Sequence, residues 1–295
     1  MRKRSRINLD RLELTYTASD EVRTYLSDKN VQMYEFESVT LIREQSRLYE
    51  NEFSIIMQDY DEELGAFDSC IGHLHFGSPN PNRQHVYIVY ENQALYNAMS
   101  VAKRYHLEGV LGLEFKQVSK IDVAVDFNFN IIRRFYKLYK NGEYDLIING
   151  KKVEGVEQKV SDVLHVTGNT TRKRPMANPM PIIKNSDGSL SLKAYNKTRE
   201  IEEESHKDYI ADAVGFARIY RFEVSCGNHK ALKPSLSKLG MSEIDLYTGL
   251  QNEDTLLSLF YALLDRLIRV QKGRHSYSLM DILLDEKKWH PQAAC

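Results

Sequence analysis

Hydrophobic and polar positions alternate from Leu9 to Thr17, with Leu12, Leu14 and Tyr16 two residues apart, which predicts a half-buried strand. Ser19 or Asp20 then caps a short helix through Leu26. Two further strands are expected at Phe53–Gln58 and Ile71–Phe76. A Pro/Asn-rich loop from Ser78 to Arg83 leads to a strand at His85–Tyr90, rich in Val, Ile and Tyr. Asn92 opens a helical stretch to His106 with Leu95, Met99 and Ala102 on one face, and Gly109 lies just beyond.

The second half repeats this plan. Val118–Phe127 reads as a strand, followed by a helix from about Asn130 to Tyr139 that stops before Gly142. Ile131, Ile132, Phe135 and Leu138 form its apolar stripe; Arg133, Arg134, Lys137 and Lys140 form a basic exposed side. Pro179–Lys184 and Leu190–Asn196 predict a hairpin turning at Asn185-Ser186-Asp187-Gly188. A helix starts near Thr198, and Ile219–Ser225 is another strand. Tyr87–Glu91 and Tyr220–Val224 occupy similar places in the two halves, as an internal duplication would produce. After Pro234 the pattern turns helical: Leu256, Leu257, Phe260, Leu263, Leu264, Leu267 and Ile268 share a face, Asn252 or Asp254 caps, and Gly273 ends the helix. Leu279–Leu284 adds a last amphipathic turn or two. The expected fold is α+β: mostly antiparallel sheets, two duplicated αβ halves, helices on the outer faces and a helical C-terminal tail. The expected segments are 1–115, an N-terminal αβ half, 116–232, a catalytic αβ half, and 233–295, a helical segment.

Composition refines this outline. At 295 residues, 42% hydrophobic and 27% charged, the chain can bury one or two real cores. No apolar run approaches the roughly 18 residues a membrane span needs, so no membrane partner is expected. The basic start, Met1-Arg2-Lys3-Arg4-Ser5-Arg6, is not followed by an apolar secretory segment. Cys70, Cys226 and Cys295 are an odd set without metal-ligand spacing, which favours reduced thiols in the cytoplasm. The formal net charge is only -1, yet Lys116 to Arg199 holds sixteen Lys and Arg against eight Asp and Glu. Acids gather instead at Glu50–Glu63 and Glu200–Glu204. A basic middle with acidic flanks can carry a local positive groove at a modest pI.

The candidate chemistry follows from strand period. Lys193, Tyr195 and Lys197 project from one side of their strand, and Asp122, Ala124 and Asp126 share one face of theirs. Glu223 lies beside Arg221 on one face of a third strand. Asp122, Asp126 and Glu223 would make an oxygen-rich site for Mg²⁺ or Mn²⁺; alternatively, Arg221 or a lysine pairs with these acids in a salt-bridge cluster without metal. A free phenol ionises near pH 10, so cations that stabilise phenolate single out Tyr195 among eighteen tyrosines. The helical stripe assigns Tyr136 and Tyr139 to core packing or backbone contact, while Tyr16, Tyr87 and Tyr90 look like sheet residues. A rival constellation is Gly72-His73-Leu74-His75-Phe76, which places two imidazoles on one side of a strand where they could bind a cation. Arg172-Lys173-Arg174 is either a phosphate clamp or a solvated loop.

Lys120–Asp126, then Tyr195-Asn196-Lys197-Thr198-Arg199-Glu200, then Arg221-Phe222-Glu223-Val224, in that order, resemble the replication initiation factor family of plasmids, phages and mobile elements. Leu9–Thr17 resembles its first strand, and the likeness covers roughly residues 9 to 230. The resemblance implies a rolling-circle initiator that nicks and rejoins one strand of origin DNA. Tyr195 would become a 5′-phosphotyrosine, Asp122, Asp126 and Glu223 would hold the metal, and Lys197 would stabilise the phosphorane-like state; Lys193 joins them by strand period. Origin DNA, single-stranded or extruded as a hairpin, would be the substrate. A host helicase and polymerase would follow, and a homodimer is compatible. The alternatives are a non-catalytic origin-binding module and a mobilisation or transposition nickase.

Overall fold

Alternating side chains, rather than long helices, organise this molecule. The computed structural model describes residues 5–61, 65–78, 80, 85–96, 100–140, 142–153 and 182–289. It divides into two compact units: Leu9–Ile121, and the chain before Leu9 together with that from Asp122 onward. Strands β1 (Ser5–Thr17) and β7 (Glu114–Phe127) each contribute to both. The fold is α+β, built on antiparallel ladders. No helix among the described residues is long and apolar enough to cross a membrane.

In the Leu9–Ile121 unit, β1 leads to α1 (Asp20–Leu26), where Ser19 caps by accepting from the Val22 amide. β2 (Met33–Phe36), β3 (Val39–Arg43), β4 (Asn51–Asp61), β5 (Gly65–Phe76) and β6 (Val86–Tyr90) follow, in sheet order β1-β6-β5-β4-β3-β2. Leu12, Leu14, Tyr16, Phe53, Ile55, Leu74 and Ile88 fill the core. The β2–β3 hairpin was not expected from the sequence; its turn takes Glu37 through positive φ, and each strand is too short to show a period. α2 (Asn92–Tyr96) and α3 (Ser100–Val110) come next. Gly109 lies inside α3, and the left-handed residue after it is Gly112. Met99 of the expected helical face, and Pro79, Pro81, Asn82 and Arg83 of the expected loop, lie outside the described residues.

In the second unit, β7 leads to α4 (Ile131–Lys140), then β8 (Asp145–Ile148) and β9 (Lys151–Lys152). β10 (Ile182–Lys184) and β11 (Leu190–Asn196) form the expected hairpin; Pro179 to Pro181 lie outside the described residues. Asn185 accepts from the Leu190 amide, Asp187 from the Ser189 amide, and Gly188 supplies the positive φ the turn needs. α5 (Lys197–Glu200) runs into a π-helical turn (Ile201–Ser205), then come α6 (Asp208–Val214) and β12 (Tyr220–Cys226). The order β7-β12-β11-β10 repeats β1-β6-β5-β4 of the other unit, and in both the first strand is followed by a helix.

Three expectations change here. Helix α7 (His229–Leu239) begins before Pro234, capped by Asn228, and holds that proline inside. After α8 (Glu243–Thr248), α9 (Glu253–Leu267) stops six residues short of Gly273. Ile268 and Val270, alternating with Arg269 and Gln271, form β13 (Ile268–Lys272) instead, and Gly273 turns it into β14 (His275–Ser278). These strands pair in the order β14-β13-β8-β9, so the tail is not purely helical. Finally, Arg134 is buried: it donates to the Leu283 carbonyl at 2.9 Å and to Glu286, tying α4 to α10 (Leu279–Leu284) and α11 (Glu286–Trp289). Only Arg133 and Lys137 remain as a described exposed basic side.

Candidate active site

Two opposite faces of the β7-β12-β11 ladder have opposite chemistry. Phe222, Val224 and Cys226 stand across from Ala194, Leu192 and Leu190 in the β11–β12 register, and all are buried. Phe127 and Phe135 meet the Phe222 ring edge-on, and α9 packs against both strands. That apolar layer fixes the register, because a one-residue slip would turn it to the other side. The alternate positions are thereby forced to the second face: Asp122, Ala124 and Asp126 of β7, Arg221 and Glu223 of β12, Lys193 and Tyr195 of β11.

On that face the structure brings three of the expected site residues together. Lys193 stands directly opposite Glu223, and its ammonium donates to Glu223 Oε1 at 2.8 Å. The Tyr195 hydroxyl donates to the other oxygen, Oε2, at 2.7 Å. Glu223 is 5% exposed at its side chain and Lys193 40%, so the carboxylate is sheltered while the ammonium is reachable from solvent. Tyr195 is half-buried.

Lys197 sits differently. The chain leaves β11 at Asn196, whose side chain caps α5 by accepting from the Arg199 amide. The Lys197 amide donates to the Ile219 carbonyl at 2.8 Å, and Thr198 Oγ1 accepts from the Ile219 amide at 2.7 Å, anchoring α5 beside β12. The Lys197 side chain is nearly buried, pairs with Glu200 at 2.5 Å and lies 5.8 Å from the Tyr195 ring centre. Of the two lysines, Lys193 is the more exposed, 40% at its side chain against 5% for Lys197.

The acids divide as well. Asp126 and Arg221 are both 0% exposed and form a two-pronged pair, Nε to Oδ1 at 2.7 Å and Nη2 to Oδ2 at 2.8 Å. Asn8 adds a third donor to Oδ2 at 2.9 Å. For Asp126 the salt-bridge arrangement is therefore the one found. Asp122 is half-buried on the same face. Among the described residues, no three His, Cys, Asp or Glu side chains are grouped to hold a metal ion. Asn8 was missed in the sequence, where nothing but its place at the head of a strand marks it.

The His73 and His75 pair lies in the other unit. Their rings stack at 6.3 Å; His73 Nε2 is 3.2 Å from Glu91, and His75 Nδ1 is 3.6 Å from Glu52. Burial pushes the His75 imidazole below its ordinary value, partly countered by Glu52. Arg172, Lys173 and Arg174 lie outside the described residues.

No family model matches the sequence, and no curated protein matches it. Among solved structures, the chain is similar to the rolling circle replication initiator protein from Geobacillus stearothermophilus. The TM-score is 0.45 and the sequence identity 11%, over 92% of this chain and 89% of that one.

Proposed function

We propose that this chain nicks one DNA strand and rejoins it through a 5′-phosphotyrosine at Tyr195, as the initiator of rolling-circle replication. The observation that carries the reading is the Tyr195 hydroxyl, held at 2.7 Å by a sheltered carboxylate beside a solvent-reachable lysine. A phenol placed this way has a partner for its proton and a cation for the phosphate it attacks. Attack on a phosphodiester leaves a free 3′-hydroxyl for a polymerase and stores the bond energy in the tyrosyl ester, so joining needs no ATP. Lys193 meets the phosphate; Lys197, paired with Glu200, stands beside the ring.

Resemblance to the initiator family implies Mg²⁺ or Mn²⁺ held by Asp122, Asp126 and Glu223. With both Asp126 oxygens engaged by Arg221 and Asn8, that three-carboxylate set does not fit a divalent cation as it stands.

The test is a labelled single-stranded oligonucleotide from inverted repeats beside the gene, incubated with protein and Mn²⁺ and run on a denaturing gel. A protein–DNA adduct that survives denaturation supports the nicking reading. Retention on a native gel alone replaces it with a non-catalytic origin-binding module.

A further inference from the structure

We infer that Glu223 is the base that takes the Tyr195 proton, and that Lys193 restrains it until a DNA phosphate draws the ammonium away. This rests on the reading of Tyr195 as nucleophile and adds the step that sets it going. A general base must lie within about 2.6–3.2 Å of the atom it deprotonates, and Glu223 Oε2 lies 2.7 Å from the phenol. Its other oxygen is held by Lys193 at 2.8 Å. That ammonium occupies one carboxylate oxygen while the phenol occupies the other.

A phosphate arriving beside Tyr195 competes for the same ammonium. Lys193 is the exposed partner of the pair and sits on a flexible stem, so it can move while Glu223 stays sheltered. Once it turns to the phosphate, the carboxylate loses its nearest positive charge in a site of low exposure. The other charged groups near this face are Arg221 along β12, Asp122 and Asp126 of β7, Lys184 of β10 opposite Ser191, and the Lys197–Glu200 pair beside the Tyr195 ring. Arg221 directs Nε and Nη2 to Asp126. Binding and activation are thus one event: the lysine that neutralises the phosphate releases the base.

The step balances. The Tyr195 O–H bond breaks as its oxygen bonds to phosphorus, and the proton goes to Glu223 Oε2. The P–O3′ bond breaks, and its electron pair leaves on O3′. Water protonates O3′, and the hydroxide so formed takes the proton from Glu223. In joining, O3′ bonds to phosphorus as its proton passes through water to Glu223, the bond from phosphorus to the Tyr195 oxygen breaks, and the departing phenolate takes that proton from Glu223, which ends as the carboxylate it began as. Phenol and carboxylate reference pKa values differ by about six units, so the proton moves with the attack rather than before it.

The experiment measures single-turnover adduct formation with saturating oligonucleotide, across pH and across Mn²⁺ concentration, for wild type, Glu223→Gln and Glu223→Asp. Glu223→Gln is expected to slow the adduct by about 100-fold or more near neutral pH, with the deficit narrowing as pH rises toward the phenol range. Oligonucleotide affinity should not fall, since Gln competes less for Lys193, and the half-saturating Mn²⁺ concentration should not change. Glu223→Asp keeps a carboxylate and should retain the wild-type shape of the pH profile at a lower rate, which covers the case of a misfolded Gln variant. A deficit constant across pH, or one repaired by excess Mn²⁺, overturns the proposal, the latter in favour of a metal ligand. A wild-type protein that forms no adduct would instead sink the nicking reading itself.

Discussion

Arg221 stands directly opposite Tyr195 in the β11–β12 register, yet it directs Nε and Nη2 to Asp126 on the next strand. Tyr195 correspondingly reaches along β12 to Glu223. Two ion-paired clusters therefore share one sheet face: a sealed one at Asp126, and one at Glu223 that opens to solvent through Lys193.

Replacing the phenol tests the open cluster. Tyr195→Phe should abolish the denaturation-resistant adduct while leaving oligonucleotide binding nearly intact. Its unfolding free energy should fall by only about 1 kcal/mol, the worth of one hydrogen bond. Full-rate adduct formation by this variant would move the chemistry to another residue.

The sealed cluster should behave as structure. Asp126→Ala leaves the Arg221 guanidinium buried without its carboxylate, and a broken buried pair costs about 3–5 kcal/mol. Urea unfolding measures this directly. A loss below about 1 kcal/mol would mean that solvent reaches Arg221 easily.

Gly72 makes a close approach between β5 and β6: a Cβ added there would sit 2.6 Å from the Val89 carbonyl oxygen. The obstacle is backbone and cannot swing aside. Gly72→Ala should therefore cost about 1–3 kcal/mol, read from the shift of the urea midpoint. An unchanged midpoint would show that the ladder yields there.

Alkaline pH should weaken the fold. Burial pushes the Tyr16 phenol well up from its ordinary 10.0, with Tyr90 and Glu108 adding to it, and burial also pushes Tyr90 up. Burial likewise pushes the Cys226 thiol up to about 11 from 9.0. A group held neutral by the fold contributes stability below its unfolded pKa, and that contribution is lost as pH climbs through the folded value. The urea midpoint should hold to about pH 9 and fall beyond it, with the thiol share gone above about pH 11. A midpoint flat over that interval would contradict the burial of these groups.

Much of the fold was legible because its signals are local. Leu12, Leu14 and Tyr16 alternate strictly and became β1; Ser19 capped α1; Asn185 to Gly188 turned the β10–β11 hairpin; Asn252 opened α9. The misses share a cause. Ile268 continues the apolar stripe of α9 by helical spacing, but it and the β-branched Val270 found a partner strand in β8, 120 residues upstream of Ile268. Arg134 looked like solvent-facing charge until the Leu283 carbonyl and Glu286 arrived to receive it.

At the site, the sequence by itself determined which residues share a face. A period of two needs only the chain, and it placed Lys193 with Tyr195, Arg221 with Glu223 and Asp122 with Asp126. Which of these charges would pair was beyond it, because pairing depends on strand order and register between segments up to about a hundred residues apart. Only the tertiary structure decided that Asp126 goes to Arg221, that Lys197 turns to Glu200, and that Glu223 holds both Lys193 and Tyr195. The reason is physical: a charge taken out of water must find its opposite within a few ångströms, and packing alone says which one is there.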